Sequence, residues 1–443
     1  MSEPSFIIEA PVFDPATSEA RFSYRLGELR FTEELKFPPL PQTSGGIRPV
    51  FHELLPLAAA VLGVSYFKLR APLEIDASQL TLSEDAQKLI LDIYENGLGE
   101  FYARNDLKRF GKLKLKTKTR AAPLPAVPLK DRALALIGGG KDSLVSISLL
   151  DTSGIEFAPF AVNPKGPIFE SVTRLNRIPV FVRRLLDPEM VRLSREPGYY
   201  NGHVPATAIN SIIAALAALL FDYNRIVLSN ERSASEGNLN FDGRLVNHQY
   251  SKSWDFERKL SAVLKSMTGG ALDYFSLLRP YSEARIAELF ARSTRFDDVF
   301  SSCNRNFTLE RKKGPLWCGE CPKCHFVFLI LAPWMSKERL TGIFRQNLFA
   351  RPELLPSFRD LTGLTGHKPW ECVGEILEAA ASLHRAATHG EWAQDVVPAT
   401  LLKELDGFYG AGRLEVAWRE LMTDGGEHLI PPDLAKAVHA HAA

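Results

Sequence analysis

Cysteine is scarce in this chain, with five among 443 residues, and three of the five crowd into one short stretch. A small secreted scaffold needs a dispersed set of paired cysteines, so that class is excluded. Excess charge is also missing. Lysines and arginines number 53 against 52 aspartates and glutamates, which leaves no global field to steer the chain toward nucleic acid. Long apolar stretches are scarce. The longest, Val204 to Phe221, carries Thr207, Asn210 and Ser211. It reads as a buried helix, since a span needs about 20 predominantly apolar residues. Met1 to Phe6 lacks the basic start and apolar core of a secretory leader. The expectation is a cytoplasmic protein with neither membrane nor nucleic acid as partner, its oligomeric state open. What remains is a globular mixture, 45% hydrophobic and 24% charged. It is too long for one ordinary core, so two or three domains are expected.

The most informative stretch runs from Ala133 through Gly138, Gly139 and Gly140 to Lys141, Asp142 and Ser143. An apolar run enters three glycines, and a helix-compatible segment, Leu144 to Leu150, follows at once. Strand, glycine turn and helix start together offer backbone N–H groups and a helix dipole to phosphate. A Walker loop is ruled out, because Asp142 follows Lys141 and Ala135 stands at the first glycine position. The dinucleotide fingerprint fails as well, with Ser143 on its third glycine. The stretch resembles the pyrophosphatase loop (Ser-Gly-Gly-x-Asp-Ser) of enzymes that split ATP into AMP and pyrophosphate, with Gly138 in place of the first serine. A plain glycine turn between core strand and core helix is the other reading.

Residues 5–36 suggest a small antiparallel meander, and 51–62 and 83–104 look helical. Lys112 to Arg120 alternates strictly, which puts five cations on one face of a strand. That face is either a phosphate-binding edge or a solvated edge protected by lysine. The proline-rich segment 121–129 marks the first domain boundary. From Asp131 apolar runs at 133–137, 157–162, 178–182 and 226–228 alternate with helical segments, as in a parallel sheet. After about Pro333 the chain turns helical. The expected fold is α/β: an α+β domain at 1–130, a parallel-sheet core at 131–335 and a helical region at 336–443.

Ligands of such sheets bind beyond the carboxyl ends of the strands. Asn163, the segment Gly202 to Pro205, and Ser229 to Asn238 are therefore candidates. Glu231 and Arg232 are expected either to hold magnesium and phosphate respectively or to form a surface ion pair. Cys318, Cys321 and Cys324 are each separated by two residues, the spacing that presents several sulfurs to one ion. Cys303 is the natural fourth ligand of a structural zinc site, with free thiols or an iron–sulfur cluster as alternatives. His203, His248 and His367 lie in loop-like contexts near strand ends. Cys372 opens a helix either as a small hydrophobe or as a reactive thiol.

Taken together, these blocks resemble the UDP-N-acetylmuramoyl-L-alanyl-L-glutamate epimerase family. The likeness includes Arg30 to Leu35, Gly63 to Lys68, Gly138 to Ser143, Gly202 to Pro205, Ser229 to Asn238, Trp317 to Pro333 and Gly366 to Glu375. The resemblance implies an adenine-nucleotide alpha-hydrolase-like core, with Asn163 at adenine and the loop at pyrophosphate. It also implies ATP and Mg2+ as cofactors, a UDP-muramoyl-dipeptide as substrate, and inversion of its terminal glutamate through an acyl-adenylate. Asp142 would help to manage leaving-group charge, and the epimerising base is expected among His203, His248 and Cys372. The cysteine block also looks like that of 7-cyano-7-deazaguanine synthases, which keeps an ATP-dependent nucleobase- or tRNA-modifying enzyme as the alternative. A non-catalytic adenine-nucleotide-binding module is the third possibility.

Overall fold

A computed structural model describes residues 5–41, 48–120, 124–235, 237, 239–306, 314–366 and 373–442. Its centre is one mixed sheet, built from β1 (Phe6–Ile8), β2 (Val12–Asp14), β3 (Glu19–Leu26), β4 (Leu29–Lys36), β5 (Glu74–Leu82), β6 (Lys114–Thr119), β7 (Ala133–Leu136), β8 (Phe157–Val162), β9 (Val180–Leu185), β10 (Arg225–Leu228) and β13 (Asp273–Ser276). A separate hairpin pairs β11 (Leu239–Phe241) with β12 (Arg244–Val246). The strand order is β13-β10-β7-β8-β9-β4-β3-β1-β5-β6, with β2 attached to β3. From β13 to β9 every pairing is parallel. The N-terminal meander joins this core through the antiparallel β4–β9 pair, so the sheet runs unbroken past residue 130.

The parallel strands are apolar on both sides because each side faces a different core. Leu134, Phe160, Ile226 and Tyr274 belong to one cluster, whereas their neighbours Ala133, Phe157, Val227 and Phe275 belong to the other. That is the period-2 alternation of a strand covered on both faces. The helices Pro49–Phe67, Ala206–Phe221 and Trp254–Met267 contribute to the first cluster. Lys141–Thr152, Gly166–Leu175, Glu283–Ala291, Pro322–Leu331 and the C-terminal helices contribute to the second. Residues 336–442 therefore share a core with the sheet, and Trp392 Nε1 donates to the Ala332 carbonyl at 2.9 Å across that junction.

Pro49–Phe67 is long and apolar enough by composition to cross a membrane, yet 83% of its most apolar window is buried inside the chain. It packs so closely that a Cβ at Gly63 would lie 2.9 Å from the Tyr94 hydroxyl. Val204 to Phe221 forms the expected buried helix, starting after Pro205. Strand β5 was hidden from period-2 reading by a register shift between Ala77 and Thr81. Ile75 and Ala77 are buried at odd positions, but Leu80 and Leu82 at even ones.

The β4–β9 junction is locked by an ion pair removed from water. Arg184 donates from Nε to Glu33 at 2.6 Å and from Nη2 to Ser65 Oγ at 2.8 Å, and the Glu33 side chain is fully buried. Replacing Glu33 with alanine strands the guanidinium and should lower the unfolding free energy by about 3–5 kcal/mol in urea titrations. The double variant Glu33→Met/Arg184→Met should recover much of that loss. Additive losses in the double variant would contradict the pairing.

Candidate functional site

Strand order reverses at β7, whose chain continuation lies at β8 on one side while β10 pairs on the other. Such a reversal opens a crevice beyond the carboxyl ends. The glycine loop lies there. Gly139 has φ +77°, and a Cβ on it would lie 3.2 Å from Pro167 Cβ, so the turn needs glycine twice over. Helix Lys141–Thr152 starts at Gly140 without a side-chain cap. Ser143 Oγ donates to the Gly140 carbonyl at 3.0 Å and accepts from the Gly138 N–H at 3.3 Å. A Cβ at Gly138 would meet open space, so nothing packs where the resembling loop carries serine.

The crevice holds a cavity of about 660 Å3, lined by Gly138, Gly140, Asp142 and Ser143 from the loop. Phe160 to Asn163 and Leu228 to Asn230 supply strand ends, and Ala206, Thr207 and Asn210 the start of a helix. Lys165, Lys252 and Lys323 bring positive charge to the same wall. Behind it Lys141, 2% exposed, bridges Asp142 and Glu283. Burial opposes each of these charges. For Lys141 the two carboxylates win and raise its pKa, and for Asp142 the nearby Lys141 and Lys323 win and lower it. Glu283 goes the other way, pushed up by burial first and by Asp142 and Glu231 as well. A charged Asp142 at the mouth suits a magnesium–phosphate partner.

The remaining loop candidates divide. Asn163, in the left-handed region at φ +47°, ties its side chain to β9, donating to the Arg184 carbonyl at 2.8 Å and accepting from the Arg184 N–H at 2.9 Å. Its backbone N–H donates to the Val182 carbonyl at 2.9 Å, and the residue lines the cavity. Glu231 is buried behind the cavity wall, and Arg232 turns away to the Thr423 carbonyl at 3.2 Å. The lysine strand β6 pairs only with β5 and forms the sheet's outer edge. Seven strand spacings separate it from β7, about 34 Å at roughly 4.8 Å each. It lines no part of the cavity.

His203 and His248, expected separately, come together. Their ring centroids are 4.7 Å apart, and both direct Nδ1 at Glu100 Oε2. His203 lies 3.5 Å from that oxygen, and His248 makes a direct hydrogen bond to it. Arg104 also binds Glu100, at 2.6 Å. The carboxylate is thus held charged: burial resists, but His248, His203 and Arg104 lower its pKa. His203 is pushed down to about 4, by burial first and then by His248. Glu100 thus orients both rings through Nδ1. His203 lies three residues before Ala206, which lines the cavity. The three side chains have a metal-capable geometry, but Arg104 and Lys68 already bear on them and one carboxylate must serve all. That favours proton transfer over a dication. Glu100 carries no signal in the sequence; only the fold brings helix Gly99–Arg104 to the histidines.

Cys303, Cys318, Cys321 and Cys324 converge, with all four sulfurs within 4.8 Å of one another. Cys318 and Cys321 lie 3.6 and 3.5 Å from Cys324. Zinc–sulfur bonds of about 2.3 Å in a tetrahedron require sulfurs about 3.8 Å apart, so the donor set fits zinc. Cys321 and Cys324 flank the start of helix Pro322–Leu331, and Lys323 between them reaches the cavity. A zinc ion there would fix that turn and would leave no open coordination position. Cys372 and His367 lie outside the described residues.

Two family models match the chain: one described as the MurL N-terminal domain over residues 1–277, the other as the MurL C-terminal domain over residues 299–412. A relative from a Micromonospora species is 40% identical, covering 98% of this chain and 97% of its own length. Another from Xanthomonas oryzae pathovar oryzae is 39% identical, with 97% and 96% covered. A third, from Salinispora tropica, is 38% identical, with 98% and 95% covered. All three carry the name UDP-N-acetyl-alpha-D-muramoyl-L-alanyl-L-glutamate epimerase.

Two outcomes follow from this geometry. Elemental analysis should find one zinc per chain, and Cys321→Ser should release it and lower thermal stability, because metal binding is coupled to folding. Metal-free protein of equal stability would contradict the site. His203, held near 4 against an ordinary 6.5, leaves the folded chain with fewer bound protons than the unfolded one between those values. Its share of stability is complete above about pH 6.5 and is lost as pH falls toward 4. In NMR titrations the His203 ring should stay neutral from about pH 8 to 5. A midpoint near 6.5 would contradict the assignment.

Proposed function

Because this chain belongs to the MurL family, we propose that it inverts the terminal L-glutamate of a UDP-muramoyl-dipeptide, at the expense of ATP cleaved to AMP and pyrophosphate. On this reading it supplies D-glutamate to peptidoglycan precursors in the cytoplasm. Its core acts as an adenine-nucleotide alpha-hydrolase-like unit. The observation that carries the proposal is the adjacency of two devices. A phosphate loop lies at a strand-order reversal, and a carboxylate-held histidine pair adjoins the helix start lining the same cavity.

The chemistry explains why both are needed. The α-proton of a free carboxylate is hard to remove, because the product would be a dianion-like enolate. Transfer of AMP to that carboxylate removes the charge and makes an electron-withdrawing mixed anhydride. The N–H groups at Gly138 to Ser143, with Lys165, Lys252 and Lys323, would hold the polyphosphate, and Asp142 would hold Mg2+ beside it. Bound there, magnesium supplies charge neutralisation for the leaving pyrophosphate. Neutral His203, oriented together with His248 through Nδ1 by Glu100, then exchanges the α-proton. Water finally splits the anhydride to release AMP and the inverted residue. The lysine strand β6 lies at the outer edge of the sheet and lines no part of the cavity.

Incubation with ATP, Mg2+ and the UDP-muramoyl-dipeptide in deuterated water tests the proposal. Expected products are AMP, pyrophosphate and a D-glutamyl residue carrying one α-deuteron. Asp142→Ala should lose AMP formation by about 100-fold or more while keeping its fold, because the loop carboxylate serves charge rather than packing. ADP and orthophosphate as main products, or full turnover in that variant, would contradict the assignment.

A further inference from the structure

Lys68 ends the buried helix Pro49–Phe67 and is 9% exposed. Its ammonium donates to Asn201 Oδ1 at 3.0 Å and to the Gly202 carbonyl at 3.2 Å, both on the loop that leads directly into His203. Both acceptors are uncharged. Among the described residues no carboxylate pairs with Lys68, and an ammonium has three donors, so one N–H remains for a further acceptor.

The surrounding charges are already matched. Arg184, the cation that bears on Lys68, is satisfied by Glu33. Arg104 and the histidine pair share Glu100. Among the described residues no carboxylate is left for Lys68, whose buried positive charge is in surplus at this corner. Burial, then Arg184, presses its pKa down to about 8. Keeping an unpaired ammonium out of water is unfavourable unless an anion arrives to meet it. Proton abstraction creates such an anion within reach of the base.

We propose that Lys68 is a catalytic residue whose ammonium holds the enolate oxygen formed when the neighbouring histidine pair takes the α-proton of the activated glutamate. This deepens, and rests on, the proton-transfer reading given above. The C–H electron pair becomes the carbon–carbon π bond, the carbonyl π pair moves to oxygen, and the proton moves to imidazole Nε2. Return of a proton to the opposite face reverses the flow. Lys68 contributes a charge-assisted hydrogen bond to oxygen throughout and is not consumed.

The test is Lys68→Met in the full chain, assayed with ATP, Mg2+ and the UDP-muramoyl-dipeptide in deuterated water. Pyrophosphate release and α-deuterium incorporation are followed separately, with the melting temperature. The proposal expects α-exchange to fall by about 100- to 1,000-fold while first-turnover pyrophosphate release stays within about twofold. The melting temperature should hold or rise, since an unpaired buried charge is replaced by an apolar chain of similar length. If Lys68→Met melts lower, Lys68→Gln, which keeps a donor without the charge, decides by the same ratio. Exchange within about twofold of wild type, or equal losses in pyrophosphate release and exchange, would overturn the role. Wild-type protein that exchanges the α-proton without releasing pyrophosphate would contradict the adenylation reading alone, and the exchange ratio of variant to wild type would still judge Lys68.

Discussion

Strands β7, β8, β10 and β13 send alternate side chains into two different cores, so neither face of the central sheet has room for polar chemistry. Reactive groups are confined to the strand ends, where the backbone runs out of partners and the chain turns. That constraint brings distant pieces of sequence to one rim. The glycine loop follows β7, Asn163 follows β8, and Asn230 follows β10. His203 precedes helix Ala206–Phe221, whose start lines the cavity. The meander hung on β9 completes the arrangement, because helix Gly99–Arg104 belongs to the same first core and carries Glu100 to the histidines.

Charge at the rim is arranged in two separate balances. Around the loop, Lys141 lies between Asp142 and Glu283, with the Asp142 pKa lowered and that of Glu283 raised by its deeper burial beside Asp142 and Glu231. Around the histidines, Glu100 answers Arg104 and both rings, and Arg184 is answered by Glu33. Activation of a carboxylate and removal of its α-proton make opposite demands, positive charge for phosphates in one step and a neutral base in the other. On the proposed reading, separate balances would let one chain meet both. Glu378 marks how tightly the loop side is packed. Its Oε1 accepts from the Ala284 N–H at 2.9 Å, and burial with the nearby Glu283 pushes its pKa up to about 8.

Much of this was legible in the residues. Three glycines between an apolar run and Lys141-Asp142-Ser143 mark a tight strand-to-helix turn, and the cysteine spacing pointed to the convergence of four sulfurs. The parallel strands were readable because both faces are apolar. Other elements were concealed for physical reasons. The bulge in β5 breaks its alternation, and β13 is only four residues long. Glu100 and Lys68 look like any helical charges; their meaning comes from burial and from partners far away in sequence. Arg232, which seemed apt for phosphate, has its guanidinium drawn to Thr423 by the C-terminal region that packs beside it.

Oxygen tracing tests the central claim, that the reacting carboxylate is activated by AMP before its α-proton moves. UDP-muramoyl-dipeptide bearing 18O in the terminal glutamate's α-carboxylate should yield AMP containing one 18O atom per turnover, because that oxygen becomes the bridge of the mixed anhydride and leaves with AMP when water attacks the acyl carbon. Inverted product with all of its label retained and AMP wholly unlabelled would contradict the account.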